Sequence, residues 1–144
     1  MTDQERATPE EILEDHDHIA LTTFRKNGRG VTTPVWFVYA KGRMYCYTFE
    51  KAWKIKRMKN NPSVEFAPAD ARMFAPAKYK VIGKTIRGVA RFLEGEETRE
   101  ADGLLRKKYG FRYSFFNRLQ AAFTSRGKNV YFEFTPTEVV NDQD

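Results

Sequence analysis

The sequence predicts one mainly β domain folded as a small antiparallel barrel with helices at its edges. Three observations carry that reading. Short runs rich in Val, Thr, Tyr, Phe and Trp recur along the chain, and these residues suit a pleated, half-buried surface. Tight turn signals containing Gly separate the first runs, as in a meander. Helical periodicity is confined to short stretches, one after the third strand and two before the last.

Residues 1–9 form a polar leader, after which Pro9-Glu10-Glu11 opens a short helix capped by Thr8, with Ile12 and Leu13 to dock it. Ile19–Phe24 is the first strand, Lys26-Asn27-Gly28 a turn, and Val31–Ala40 the second strand. Lys41-Gly42 turns the chain into a third strand, Met44–Phe49. In Glu50–Asn60, Ala52, Ile55 and Met58 recur every three residues and predict a helix, stopped by Asn60-Asn61-Pro62. Ser63–Ala67 is the fourth strand. Asp70–Lys80 reads mostly as a loop, and Lys80–Leu93 as a long fifth strand bent or bulged at Gly83 and Gly88. Glu96–Tyr109 is a helix with acids early and Arg106, Lys107 and Lys108 late, ended by Gly110. Tyr113–Phe123 is a second helix with Phe116, Leu119 and Phe123 along one face, and Asn129–Phe134 is the last strand.

The 144 residues suffice for one domain with its own core. Aromatics make up 15% of the chain, which suits a core of few strands or a surface that binds rings. The net charge of +6 points to anionic partners: phosphates, nucleic acid or an acidic surface. The charges are spread along the chain except at Lys51–Lys59, where five of nine residues are basic and none is acidic. A lone cysteine, Cys46, allows no intrachain disulfide and no cysteine-based zinc site, and reads as a buried small hydrophobe. His16 and His18 lack evident further metal ligands, so no metal is expected. The polar start and the absence of an apolar run near ~18 residues predict a cytoplasmic protein without a membrane partner.

The chemistry concentrates in residues 32–61. Lys54 and Arg57 lie three apart on the predicted helix and project to one side, with Trp53 beside them and Ile55 and Met58 turned to the core. The helix follows the strand end at Tyr47-Thr48, which brings hydroxyls, free backbone N–H groups and the positive helix end together. Such a place can hold a phosphate, Arg as a fork and Lys as a point charge. A solvated basic face is the other reading of the same residues. In Thr32-Thr33-Pro34-Val35-Trp36-Phe37, alternation places Thr32, Pro34 and Trp36 on one face and Thr33, Val35 and Phe37 on the other. Trp36 either lines a ligand or packs inside.

The run from Ile19 to about Phe134 resembles the split-β-barrel flavin and deazaflavin oxidoreductases, the superfamily of pyridoxamine 5'-phosphate oxidase, and looks most like the F420-dependent members. The matching pieces are Ala20–Gly28, Thr33-Pro34-Val35-Trp36-Phe37, Lys54-Ile55-Lys56-Arg57 leading to Asn60-Asn61-Pro62, Ala67–Arg72, Gly88–Phe92 and Leu105–Gly110. The resemblance implies a six-stranded antiparallel split barrel of the FMN-binding type. It also implies a homodimer with cofactor sites at the interface. Carried onto this chain, Thr33 and Pro34 line the cofactor, Trp36 stands near its ring, Thr48, Lys54 and Arg57 hold its phosphate, and Asn61 and Pro62 make the supporting turn. Two departures stand out: the bulky Ala52-Trp53 before the phosphate-binding Lys, and Met73–Lys80, which reads as an inserted loop that could cover the cleft mouth. No C-terminal Arg/His pair is present, so pyridoxamine 5'-phosphate oxidation itself is not expected.

These readings lead to an oxidoreductase that binds coenzyme F420 or FMN and moves hydride to or from a small organic substrate. No catalytic side chain is evident, which suits a cofactor that carries the chemistry. The alternatives are a cofactor or haem carrier of the same fold without catalysis, and a single-stranded nucleic-acid binder.

Overall fold

A computed structural model describes residues 18–72, 75–81, 84–123 and 128–140. Among the described residues, seven strands and three helices follow in order: β1 (His18–Phe24), β2 (Gly30–Ala40), β3 (Arg43–Phe49), α1 (Trp53–Asn60), β4 (Ser63–Arg72), β5 (Ala75–Val81), β6 (Ile86–Phe92), α2 (Glu96–Tyr109), α3 (Phe111–Phe123) and β7 (Asn129–Val139). The leader, the Thr8-capped helix and His16 fall outside the described residues.

Six strands close into an antiparallel barrel in the order β1-β2-β3-β7-β6-β4, with β4 pairing back onto β1. Closure gives each of these six strands a neighbour on both sides. The meander forms at the predicted turns. Gly28 takes φ 88°, and Lys41-Gly42 takes φ 56° and 75°. Two successive left-handed residues match the twist of a tight hairpin.

Alternation sorts each strand into an inner and an outer face. Ile19 and Leu21 of β1, Val35 and Phe37 of β2, Met44 and Cys46 of β3, Val64 and Phe66 of β4, Ile86 and Ala90 of β6, and Phe132 and Phe134 of β7 form the barrel core. Helix α1 adds Met58 to this core and also buries Ile55, as its period predicts. Helices α2 and α3 lie outside the wall. They cover a second cluster of Trp36, Tyr47, Leu105, Tyr109 and Tyr113. Leu105 and Tyr109 share one stripe of α2 with Ala101, four residues apart each time.

The structure corrects the predicted loop at Asp70–Lys80. β4 runs on to Arg72, and β5 pairs with it, Ala69 opposite Val81 and Ala71 opposite Tyr79. The segment is a hairpin arm rather than a loop; Met73 and Phe74 lie outside the described residues. Ala, Asp and Pro have low strand propensity, so the sequence hid the arm, while continued ladder bonding from β4 sets it. Pro76 is tolerated because β5 ends the sheet order, where a missing N–H breaks no necessary bond.

The long fifth strand is two strands, β5 and β6, both on the side of β4 opposite β1. Gly83 falls outside the described residues. Gly88 lies at a bulge whose extra residue, Thr137, is on β7: the β6–β7 register passes from Arg87 opposite Glu138 to Gly88 opposite Pro136, and a Cβ on Gly88 would sit 2.8 Å from the Thr135 carbonyl oxygen. β7 continues past Phe134 to Val139, with Pro136 opposite Gly88 at that irregularity. Helix α3 starts at Phe111, directly after Gly110, two residues before the predicted start.

Candidate functional site

Of the predicted site residues, Thr33, Thr48, Lys54 and Arg57 lie where strand ends of β1, β2 and β3 meet helix α1. Thr23 continues the inward face of Ile19 and Leu21, Thr48 that of Met44 and Cys46, and Thr33 that of Val35 and Phe37. Three inner faces thus end in a hydroxyl. Thr23 and Thr48 are buried, and Thr33 is half-buried.

Helix α1 brings its cations to this end of the barrel. Arg57 Nε donates to Thr23 Oγ1 at 2.6 Å. Burial and then the charge of Arg25 lower the Arg57 pKa. Lys54 is half-buried, and its ammonium is lowered to about 8, first by burial and then by Arg57. Its charge also reaches the core thiol Cys46. Among the described residues, neither Lys54 nor Arg57 pairs with a carboxylate. Two inward cations without a counterion are costly in a folded protein and are a place for an anion.

The start of α1 suits the same charge. Ala52 at its N-cap makes no side-chain cap bond, and its first turn holds no acid. Uncapped N–H groups and the helix dipole favour an anion there. At the other end Asn61 closes the helix: its N–H donates to the Arg57 carbonyl at 2.8 Å and its Oδ1 accepts from Ser63 N–H at 3.1 Å. The Pro62 carbonyl accepts from Ala90 N–H at 2.8 Å and ties the turn to β6.

Trp53 does not join Lys54 and Arg57. It is 70% exposed, and Lys56 Nζ sits 4.7 Å from its ring. Pro34 and Trp36 are on the outer face of β2, the opposite face from Thr33. Pro34 lies opposite Ala20. Trp36 is stacked on Tyr109 with centroids 4.5 Å apart, and its Nε1–H donates to His18 Nε2 at 2.6 Å. One face of the ring of Trp36, the residue expected to stand near a cofactor ring, is covered by Tyr109 of the same chain.

Sequence reasoning missed Thr23 and Arg25. The alternation Ile19, Leu21, Thr23 put a hydroxyl at the inner end of β1, but nothing in the sequence joined it to Arg57. It also missed the polar network under α2 and α3. The Asp102 carboxylate accepts from Tyr113 and Tyr131 hydroxyls at 2.8 Å each and from Arg106 Nε at 2.8 Å. Among the described residues, no group of three or more His, Cys, Asp or Glu could hold a metal ion. No described helix is long and apolar enough to cross a membrane.

The closed six-stranded barrel, its edge helices and the polar end at α1 define a split-barrel protein of the pyridoxamine 5'-phosphate oxidase type. The chain belongs to the pyridoxamine 5'-phosphate oxidase family, whose profile matches residues 7–141. A comparison with curated proteins gives no match. Among solved structures, the haem storage protein HutZ of Vibrio cholerae superposes with a TM-score of 0.66 at 16% identity, covering 90% of this chain and 87% of that one. A FAD-binding protein of Mesorhizobium loti gives 0.64 at 16% identity, over 96% and 90% of the two chains. An F420 reductase gives 0.59 at 20% identity, over 91% and 94%. These likenesses establish the shared fold.

Proposed function

We propose that the protein is a homodimeric oxidoreductase that binds coenzyme F420 or FMN, with the cofactor's phosphate held at the start of α1. The observation that carries the reading is the pair Lys54 and Arg57, turned to the barrel end without a carboxylate partner among the described residues. Phosphate chemistry fits that donor set: a fork, a point charge, hydroxyls and an uncapped helix start. Thr23 aims the Arg57 guanidinium, Thr48 and Thr33 offer hydroxyls, and Lys54 supplies a charge in a desolvated position. Asn61 and Pro62 hold the helix end against β6. Pro34 stiffens β2, and Trp36, braced by Tyr109 and His18, keeps that strand in place rather than contacting the ring.

A bound flavin or deazaflavin would supply hydride transfer to or from a small organic substrate. The protein's own part is to bind and orient, and no side chain is assigned to proton transfer. The basic balance of the chain favours F420, whose tail is acidic, over FMN. Two chains would complete the cleft across an interface above ~1,000 Å². A haem carrier of the same fold is less well supported. His18, the one histidine among the described residues, already accepts the Trp36 indole N–H on Nε2.

The absorption spectrum of the purified protein, followed by titration with F420, FMN and haem, tests the reading. Submillimolar binding of F420 or FMN, lost in Lys54→Ala/Arg57→Ala, is expected. Binding of haem alone, or of none, would overturn it.

A further inference from the structure

Helix α3 is apolar on two opposite sides. Tyr113 faces the barrel wall, is fully buried, and tilts against Tyr47 with ring centroids 5.1 Å apart. At 100° per residue, Phe111, Phe115 and Arg118 fall within about 60° of one another on the opposite side. Phe111 is 79% exposed and Phe115 51% exposed. Burial against the fold explains Tyr113 and leaves the two phenylalanines without a covering element among the described residues. Two large rings one helical turn apart in water are not required by the fold, since α3 is already anchored through Tyr113.

Charge says what meets them. From Gly103 to Phe132 the sequence holds seven Lys or Arg residues and no acid. Lys107 at the end of α2 and Arg118 on α3 are exposed, and Arg112 is half-buried beside Phe111. We propose that this face of α3 rests on an anionic lipid surface, with Phe111 and Phe115 entering the headgroup region and Lys107 and Arg118 meeting lipid phosphates. Exposed rings flanked by basic residues suit the headgroup region of an anionic surface, the rings by apolar contact and the cations by charge. Each Lys or Arg near such a surface adds attraction, and salt weakens it. The contact needs no membrane-spanning helix, so the expectation of no membrane partner, drawn from the lack of a span, does not bear on it. A second copy meeting this face about a two-fold axis would oppose basic residues to basic residues. Single-stranded nucleic acid is stacked in grooves, whereas this ridge is convex.

Co-sedimentation tests the proposal with two kinds of vesicle: phosphatidylcholine alone, and phosphatidylcholine with about a third phosphatidylglycerol. The wild type should bind the anionic vesicles, and binding should fall as salt rises. Phe111→Ser/Phe115→Ser should weaken that binding at least about tenfold. Arg118→Glu should weaken it separately. Both variants should keep the wild-type melting temperature and cofactor titration, because these side chains are exposed and distant in the chain from α1. The proposal is overturned if the wild type does not bind, or if it binds both vesicles equally. It is also overturned if the variants bind as the wild type does. A fall in oligomer mass in the double variant, or loss of oligonucleotide binding without loss of vesicle binding, would assign the face to a second copy or to nucleic acid.

Discussion

Arg57 Nε donates to Thr23 Oγ1 at 2.6 Å, so a cation on α1 is fixed by a buried hydroxyl on β1, 34 residues earlier in the chain. The bond turns the guanidinium toward the barrel end and leaves its outer N–H groups available. Thr23→Val keeps the shape and removes the acceptor. It should cost about 1 kcal/mol of stability, and it should weaken FMN or F420 binding severalfold because Arg57 loses its aim. Thermal melts and equilibrium titrations measure the two effects. Wild-type affinity in this variant would show that Arg57 needs no positioning.

Lys54 gives the protein a pH signature. Its folded pKa is lowered to about 8, against an ordinary value of 10.5. Between those values the unfolded chain binds more protons than the folded one, so this group makes stability rise with pH from about 8 to about 10.5. Below that window Lys54 is charged in both states and its desolvation penalty is fully present. Lys54→Met should therefore stabilise the protein at pH 7 by roughly 1–3 kcal/mol, and the advantage should shrink at pH 10. Phosphate binding needs the ammonium, so affinity should fall as pH rises beyond about 8. Urea unfolding and titrations at pH 7 and pH 10 check both signs.

Much of this was legible in the sequence, for reasons particular residues make plain. Asn27-Gly28 and Lys41-Gly42 fixed the meander, because few other residues accept left-handed turn conformations. Ile55 and Met58 on one side of α1 placed Lys54 and Arg57 on another. The β4–β5 arm was hidden, since Ala69, Ala71, Ala75 and Pro76 carry no strand signal and the ladder from β4 decided their state. Trp36 was ambiguous for a different reason. Strand alternation gives a side chain's face but not what covers it, and Tyr109 comes from 73 residues further along the chain. Thr23 as the partner of Arg57 is likewise a long-range pairing that no local pattern announces.

The Tyr109 hydroxyl donates to the Phe37 carbonyl at 2.7 Å and accepts from the Phe37 N–H at 2.9 Å. It thereby completes β2 just beyond Trp36, the last residue of β2 that β1 pairs among the described residues. Lys108 Nζ also reaches the Phe37 carbonyl, at 2.8 Å. Tyr109→Phe would leave that carbonyl bonded but take the acceptor from a buried N–H, at a cost of about 1–3 kcal/mol. Lowered urea midpoints and faster hydrogen exchange of the Phe37 amide are expected, with Trp36 still stacked. Unchanged protection of that amide would contradict the assignment.

Burial would raise the Asp102 pKa, but bonds from Arg106, Tyr131 and Tyr113 outweigh it and hold the carboxyl below its ordinary 3.8. The stability it contributes is therefore present at neutral pH and lost as pH falls from 3.8 through the lower folded value. Asp102→Asn should destabilise the protein at pH 7, and the gap from wild type should narrow below pH 3.8 in acid unfolding curves. A gap that stays constant to pH 2 would remove the carboxylate from the account of how α2 and α3 are joined.

The most direct test of the central claim is an equilibrium titration of the wild type and of Lys54→Ala/Arg57→Ala with F420 and with FMN, each followed by fluorescence. The account predicts that the wild type binds at least one of the two, and that the double variant binds it about a hundredfold or more weakly, as loss of two charge-assisted contacts implies. The variant should show an unchanged melting temperature or a higher one, because it removes two partly buried cations. Equal affinity in the two proteins, with the fold intact, would contradict the claim that the start of α1 holds the cofactor's phosphate.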